Sequence, residues 1–289
     1  MNNFRKLWAN GAFRFGASVL TLVFAMGVLA PLLGTVDPAV MDYNNINRAA
    51  GHTGAFTLVD GTQVAHAFWL GTDNFGRDLY SRVLYGARVS LLIAISTALV
   101  ALLAGGAIGM LAGYFRAADL VLMRVMDGLM AIPAILLAIA LVAALGASIA
   151  TVVVAIAIPE IPRVSRLVRS LVLTLREEPF VEAARALATP TPAILLRHIL
   201  PNALAPLLVQ GTFVAASAVL LEAILSFLGL GLPAEIPTWG NIMAEGRTQF
   251  SQYPGNVLYP ALFLVPTVLA LNLLGDGLRD VLDPKFAKR

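Results

Sequence analysis

The chain has 289 residues, of which 58% are hydrophobic and only 13% charged, whereas an ordinary soluble domain carries roughly a quarter charged residues. A formal net charge of +3 is too small to suggest a nucleic-acid partner. The absence of Cys excludes structural disulfides, Cys-ligated zinc, iron–sulfur clusters and thiol nucleophiles.

With a mean hydropathy of +0.81, most side chains must face each other or lipid, and six spans of about 20 residues fit an all-α integral membrane protein. Residues 1–14, with Arg5, Lys6 and Arg14, are expected as a cytoplasmic N-terminus. Phe15 to Val36 is free of charge for 22 residues and reads as the first transmembrane helix. It exceeds the apolar core of about 7–15 residues in a secretory signal, which favours a retained helix.

Residues 37–88 read as an extracytoplasmic loop. After Gly76, residues Leu79, Val83, Leu84 and Ala87 share one helical face while Arg77, Asp78 and Arg82 point elsewhere. That pattern predicts an amphipathic helix lying on the outer surface with its charges in water. Such a helix could serve as a structural collar or as a docking surface for another protein.

The core, residues 89–275, holds the remaining spans. Val89 to Phe115 is uncharged for 27 residues, and Gly105, Gly109 and Gly113 recur on one face, where they let a neighbouring helix approach closely. Gly128 to Pro159 is uncharged for 32 residues and is interrupted by Gly146-Ala147-Ser148, so it reads as a helical hairpin. Ala203 to Leu221 and Val257 to Gly275 give 19 uncharged residues each, about 28 Å of helix. Residues 276–289 form a C-terminal tail. This topology puts 15 Lys and Arg inside and 5 outside, so the positive-inside rule predicts both termini in the cytoplasm.

Nothing along the chain arranges covalent chemistry. His52, His66 and His198 are isolated, and no Gly-Lys pair exists to build a phosphate-cradling GxxxxGK[ST] loop. No catalytic, cofactor or metal residues are expected, so energy must come from a partner or an ion gradient. For ion coupling the candidate carboxylates are Asp127, Glu160 and Glu222, of which only Glu222 sits well along a span. An ATPase-independent ion-coupled carrier or channel therefore stands as the alternative reading.

The longest cytoplasmic segment, residues 161–202, is also the most patterned. Arg163, Arg166 and Arg169 fall at i, i+3 and i+6 and read as headgroup anchors. Pro179 suits the first turn of a new helix, with Glu177 and Glu178 before it. The helix carries Glu182-Ala183-Ala184-Arg185-Ala186-Leu187-Ala188, whose small surface suits a groove in another protein. Thr189-Pro190 and Thr191-Pro192 should break it. A second short helix is expected from Thr191 as N-cap to Ile199, before Pro201, so that two helices form a projecting knob.

Glu182-Ala183-Ala184 followed by His198-Ile199-Leu200-Pro201-Asn202 resembles the EAA loop of bacterial ABC importer permeases. Leu70-Gly71-Thr72-Asp73 with Gly76-Arg77-Asp78, Leu221-Glu222-Ala223 with Ser226-Phe227-Leu228-Gly229, and Asn272-Leu273-Leu274-Gly275-Asp276 resemble signatures of the dipeptide, oligopeptide and nickel branch. The likeness extends from Leu70 to the end and is similar to the second, C-type permease of the pair. Where the family has Gly, this chain has Ala188, and a left-handed turn there would disfavour Ala by about 1 kcal/mol, so a reshaped turn is expected.

The resemblance implies a type I importer fold with six transmembrane helices and a coupling helix between spans four and five. It implies an inner-membrane complex with a homologous second permease, two ATPase subunits that bind ATP and Mg, and an extracytoplasmic binding protein. The residues implied for ATPase coupling are Glu182, Ala183, Ala184, Arg185, Leu187 and Ala188, supported by His198, Leu200 and Pro201. Asp127 and Glu222 are candidates for the translocation path. Di- or oligopeptide cargo is implied, with nickel chelates, opines or glutathione-like peptides open within the same branch.

Overall fold

The computed structural model describes residues 3–282. Helix α1 (Asn3–Ala9) turns at Asn10, whose side chain accepts from the Phe13 N–H and starts α2 (Gly11–Leu29). A two-stranded antiparallel hairpin follows, β1 (His52–Thr57) paired with β2 (Gln63–Phe68) in the register His52↔Phe68 to Thr57↔Gln63. The rest is helical: α3 (Leu79–Tyr114), α4 (Arg116–Met130), α5 (Ala134–Leu145), α6 (Ile149–Leu175), α7 (Pro179–Ala186), α8 (Thr191–Ala193), α9 (Leu200–Phe227), α10 (Trp239–Gly246) and α11 (Gly255–Leu282).

Among the described residues, four helical stretches are long and apolar enough to cross a membrane: Gly11–Leu32, Leu79–Tyr114, Thr191–Phe227 and Gly255–Val281. Helices α4 and α5 make a fifth when taken together, bent by 89° at the break before Pro133. Pro133 cannot donate an N–H to a continuing helix, which explains the bend. With 12 residues, α5 is only about 18 Å long and cannot cross a core of about 30 Å alone. Helix α6 is long enough at 27 residues, but Glu160, Arg163, Arg166 and Arg169 interrupt its apolar character. Six spans are expected from the sequence, whereas four helices qualify among the described residues, or five with the α4–α5 pair; the remaining expected span falls on α6, with the hairpin break at Gly146 and the Ser148 N-cap.

Helix α3 is the centre of the bundle and crosses α6 closely. A Cβ placed on Gly105 would lie 2.7 Å from Val164 Cβ, and one on Gly113 would lie 2.6 Å from Val172 Cβ. At Gly109 it would meet the Ser165 carbonyl at 2.5 Å and Val168 Cβ at 2.6 Å. The glycine stripe is therefore a packing groove for a valine ridge. Val164, Val168 and Val172 join Leu91, Ala94, Ala98, Val214, Val219 and Trp239 in the main buried core.

One expectation about the first loop is overturned. Helix α3 begins at Leu79, so the segment expected to lie flat on the surface is the first turns of a 36-residue spanning helix. Arg77, Asp78 and Arg82 are not in water; all three are fully buried. Asp78 caps α3, accepting from the Ser81 N–H at 2.9 Å and from Ser81 Oγ at 2.5 Å. Arg77 Nε donates to Asp73 at 2.7 Å and its Nη2 to Glu245 at 2.5 Å, while Arg82 Nη2 donates to the same Glu245 oxygen at 3.1 Å. Two arginines and two carboxylates from distant segments thus neutralise one another, which explains how four charges can be taken from water.

Helix α10 is the lid over this cluster. The Thr238–Asn241 capping box starts it, and Trp239 is fully buried with its Nε1 donating to the Val83 carbonyl at 3.1 Å. Nearby, Gly76 adopts φ +75° with the Asp42 backbone pressed against it, leaving no room for a side chain.

Candidate functional site

The opposite end of α3 carries the knob. Glu178 is extended at the N-cap and Pro179 takes the first turn of α7, where a missing N–H is harmless. Val181 and Ala184, three residues apart, turn inward and share the main core with Ile194 and Ile199. Arg185 lies over the Tyr114 ring at 5.4 Å, and Arg176 Nη1 donates to the Gly113 carbonyl at 3.1 Å. The last turns of α3 therefore form the seat on which α7 rests.

What remains faces outward. Glu182, Ala183, Ala186 and Ala188 are exposed, and so is Leu187 at 81%. The exposed surface is small, with an acid in the first turn, a bare leucine at the end and Arg185 beside it. Ala184 is the exception among the coupling candidates: it is buried against the protein's own core.

The turn after α7 corrects the expectation for Ala188. Its φ is +56°, so the left-handed geometry is kept although the residue is not Gly. Thr189 N donates to the Ala184 carbonyl at 3.0 Å and Ala188 N to the Arg185 carbonyl at 2.9 Å. These are the two bonds of a Schellman motif, which satisfy carbonyls the helix end would otherwise leave open.

The second short helix is also different from expectation. Pro190, not Thr191, is the N-cap, and the helix does not stop before Pro201. It passes through a π-helical stretch, Ile194–Ile199, into α9, giving a continuous run from Thr191 to Phe227. Widening the helix by one residue per turn lets its backbone continue past Pro201. His198 packs near Phe180, with ring centroids 6.5 Å apart, and its carbonyl accepts from Asn202 Nδ2 at 2.6 Å. Leu200 packs against the main core, and Pro201 is exposed. The supporting residues therefore link α7 to the start of α9.

Asp127 and Glu222 are not brought together. Asp127 is exposed on α4 and accepts from Arg166 Nη2 at 2.5 Å, while Arg169 grips Asp119 with two nitrogens. The three arginines are therefore partnered with carboxylates rather than standing as free headgroup anchors. Glu222 is 1% exposed and accepts from Ser226 Oγ at 2.8 Å and Thr238 Oγ at 2.7 Å, so it ties the N-cap of α10 to α9. Sequence reasoning passed over the pairing of Glu160 with Ser217 of α9; the signal was a Glu flanked by Pro159 and Pro162 inside an apolar stretch. No cluster of potential metal ligands occurs among the described residues.

Residues 105–288, which include the knob and its seat, match the family of binding-protein-dependent transport system inner membrane components. The chain belongs to that family. A probable peptide ABC transporter permease of Sinorhizobium fredii is 47% identical over 95% of this chain and 89% of its own length. The dipeptide transport system permease protein of Alkalihalophilus pseudofirmus is 41% identical over 98% and 89%, and the oligopeptide transport system permease protein of Bacillus subtilis 33% over 98% and 91%. Among solved structures, an inward-facing methionine ABC transporter chain matches with a TM-score of 0.55 at 21% identity, covering 70% of this chain and 96% of that one. The protein is thus an ABC importer permease of type I fold and an inner-membrane component, built for transport rather than catalysis.

Proposed function

We propose that this permease forms half of the translocation pathway of a di- or oligopeptide importer and that α7 is its coupling helix. The observation that carries the coupling role is the division of α7 into two faces. Val181 and Ala184 anchor it to the bundle, while Glu182, Ala183, Ala186 and Leu187 stay uncovered beside Arg185. Small exposed residues let a partner backbone come close, and the apolar Leu187 offers a contact that water does not satisfy. The peptide cargo rests on the names of the relatives, three of which are peptide, dipeptide and oligopeptide permeases. A glutathione permease of Pectobacterium atrosepticum, 45% identical over 79% of this chain, keeps glutathione-like peptides open.

In this reading both termini lie in the cytoplasm, residues 37–78 and α10 face outward, and α7 projects inward. A homologous permease completes the pathway, two ATPase subunits bind ATP and Mg, and an extracytoplasmic protein delivers the cargo. ATP draws the ATPases together, α7 carries that displacement into α9 and α3, and the bundle opens outward; hydrolysis returns it. Family membership favours this over an ion-coupled carrier. Asp127 is exposed and can border the path, whereas the burial of Glu222 supports a clamping role.

The test is a mild-detergent pull-down of the tagged protein from its host, wild type beside Glu182→Lys, read by mass spectrometry and by peptide uptake. The expected outcome is recovery of a second permease and ATPases with the wild type, and loss of both ATPase recovery and uptake with the variant. Normal uptake by a normally expressed Glu182→Lys protein would sink the coupling role.

A further inference from the structure

We infer that Arg163, braced by Glu160 and Ser217, lines the translocation path and receives the C-terminal carboxylate of a peptide in transit; this rests on the peptide-importer reading above. Arg163 sits between Ile161 and Val164, which pack on Gly105 of the spanning helix α3, nine residues or about 14 Å before that helix ends at Tyr114. An arginine there facing lipid would extend its side chain toward the nearer interface. Arg163 does the reverse. Its Nη1 donates at 3.1 Å to Glu160, three residues earlier on the same helix, which draws the guanidinium back toward the middle of the span.

Glu160 is itself fixed. Its side chain is 4% exposed, and its second oxygen accepts from Ser217 Oγ of α9 at 2.8 Å. The flanking Pro159 and Pro162 supply no N–H, so the helix is also short of backbone donors at this level. By contrast the Arg163 side chain is 62% exposed, and its Nε and Nη2 have no hydrogen-bond partner among the described residues. Arg169 differs, because Asp119 of α4 holds two of its nitrogens, and Arg166 is turned aside to α4 by one bond to the exposed Asp127.

A charge with an open donor edge at this depth cannot rest against hydrocarbon, so it faces water or protein. A guanidinium edge presents two parallel N–H groups that match a carboxylate. Every unmodified peptide carries one carboxylate at its C-terminus. Because Glu160 already neutralises Arg163, the site holds that group weakly enough to release it, which transit requires.

Two measurements on the assembled importer in proteoliposomes, with its binding protein, test the inference. The chain has no Cys, so Arg163→Cys introduces its only thiol. Labelling of this chain by the anionic, water-soluble methanethiosulfonate ethylsulfonate is expected. Labelling only by membrane-permeant N-ethylmaleimide, or by neither reagent, would overturn the pathway position. The second measurement compares uptake of a dipeptide with that of its C-terminal amide, each normalised to the amount held by the binding protein. Arg163→Gln should lower the ratio of free acid to amide by about tenfold or more, the loss of a charge-assisted hydrogen bond, with Arg163→Lys recovering part of it. An unchanged ratio overturns the carboxylate role. A wild-type complex that imports no peptide would refute the cargo reading instead, while the labelling result would still decide where Arg163 faces.

Discussion

The two ends of α3 solve opposite problems with similar residues. At the hairpin end, Arg77, Arg82, Asp73 and Glu245 are drawn inside and consume one another's charge. At the knob end, Glu182 and Arg185 stay exposed, and α7 is held by Val181, Ala184 and the ring contacts Arg185–Tyr114 and Phe180–His198. The first arrangement is a lock: each member left alone would be a buried, unpaired charge. The second is a seat, whose polar groups remain free for a partner. Charged residues therefore do not by themselves mark the working surface of this permease; their burial decides.

The lock should break hardest. Arg82→Ala leaves Glu245 short of a cation in a buried site and should cost about 3–5 kcal/mol, read as a lowered unfolding midpoint of the purified protein in detergent. Burial pushes the Glu245 carboxyl above its usual range despite the opposing pull of Arg82 and Arg77, so the variant should shift it further upward. At the α3–α6 crossing between the two ends, Gly109→Val should force the helices apart at a cost of about 1–3 kcal/mol, while Gly106→Ala, with no neighbour within 4 Å of its Cβ, should be tolerated.

A milder break lies beside the hairpin. Burial raises the Asp42 carboxyl, but hydrogen bonds from the Thr57 and Asn44 backbones and the Asn45 side chain outweigh it and leave the pKa below the usual 3.8. Its stabilising contribution is thus present above pH 3.8 and is lost as pH falls through the lower folded value. Asp42→Asn should cost about 1–2 kcal/mol at neutral pH and flatten the acid limb of a melting profile. At the seat the expected change is smallest and of opposite sign. Ala188→Gly should stabilise the protein by up to about 1 kcal/mol by relieving the left-handed turn, and Ala188→Val should destabilise it.

Much of the seat was legible in the sequence because its signals are local. Pro179 announced α7, Gly146 and Ser148 announced the break before α6, and the spacing of Gly105, Gly109 and Gly113 announced a close crossing. The lock was not legible, because Arg82 and Glu245 are 163 residues apart and a helical wheel assigns charges to water by default. The course of the chain past Pro201 was misread for a related reason. Proline forbids a regular α-turn, but a π-helical stretch is an escape that no single-residue preference announces. Ala188 shows the same limit, since a pair of backbone hydrogen bonds outweighs the preference of its side chain.

The uninterrupted run from Thr191 to Phe227 has a mechanical consequence. At about 1.5 Å per residue its 37 residues form a beam about 55 Å long that starts just after α7 and is joined near its other end to α10 through Glu222 and Thr238. Pivoting about its middle by some 10°, such a beam would carry each end through about 5 Å, close to one helical turn. The π-helical stretch sits next to the α7 end, so a push arriving through α7, as proposed above, would be divided there between rotation of the beam and local deformation.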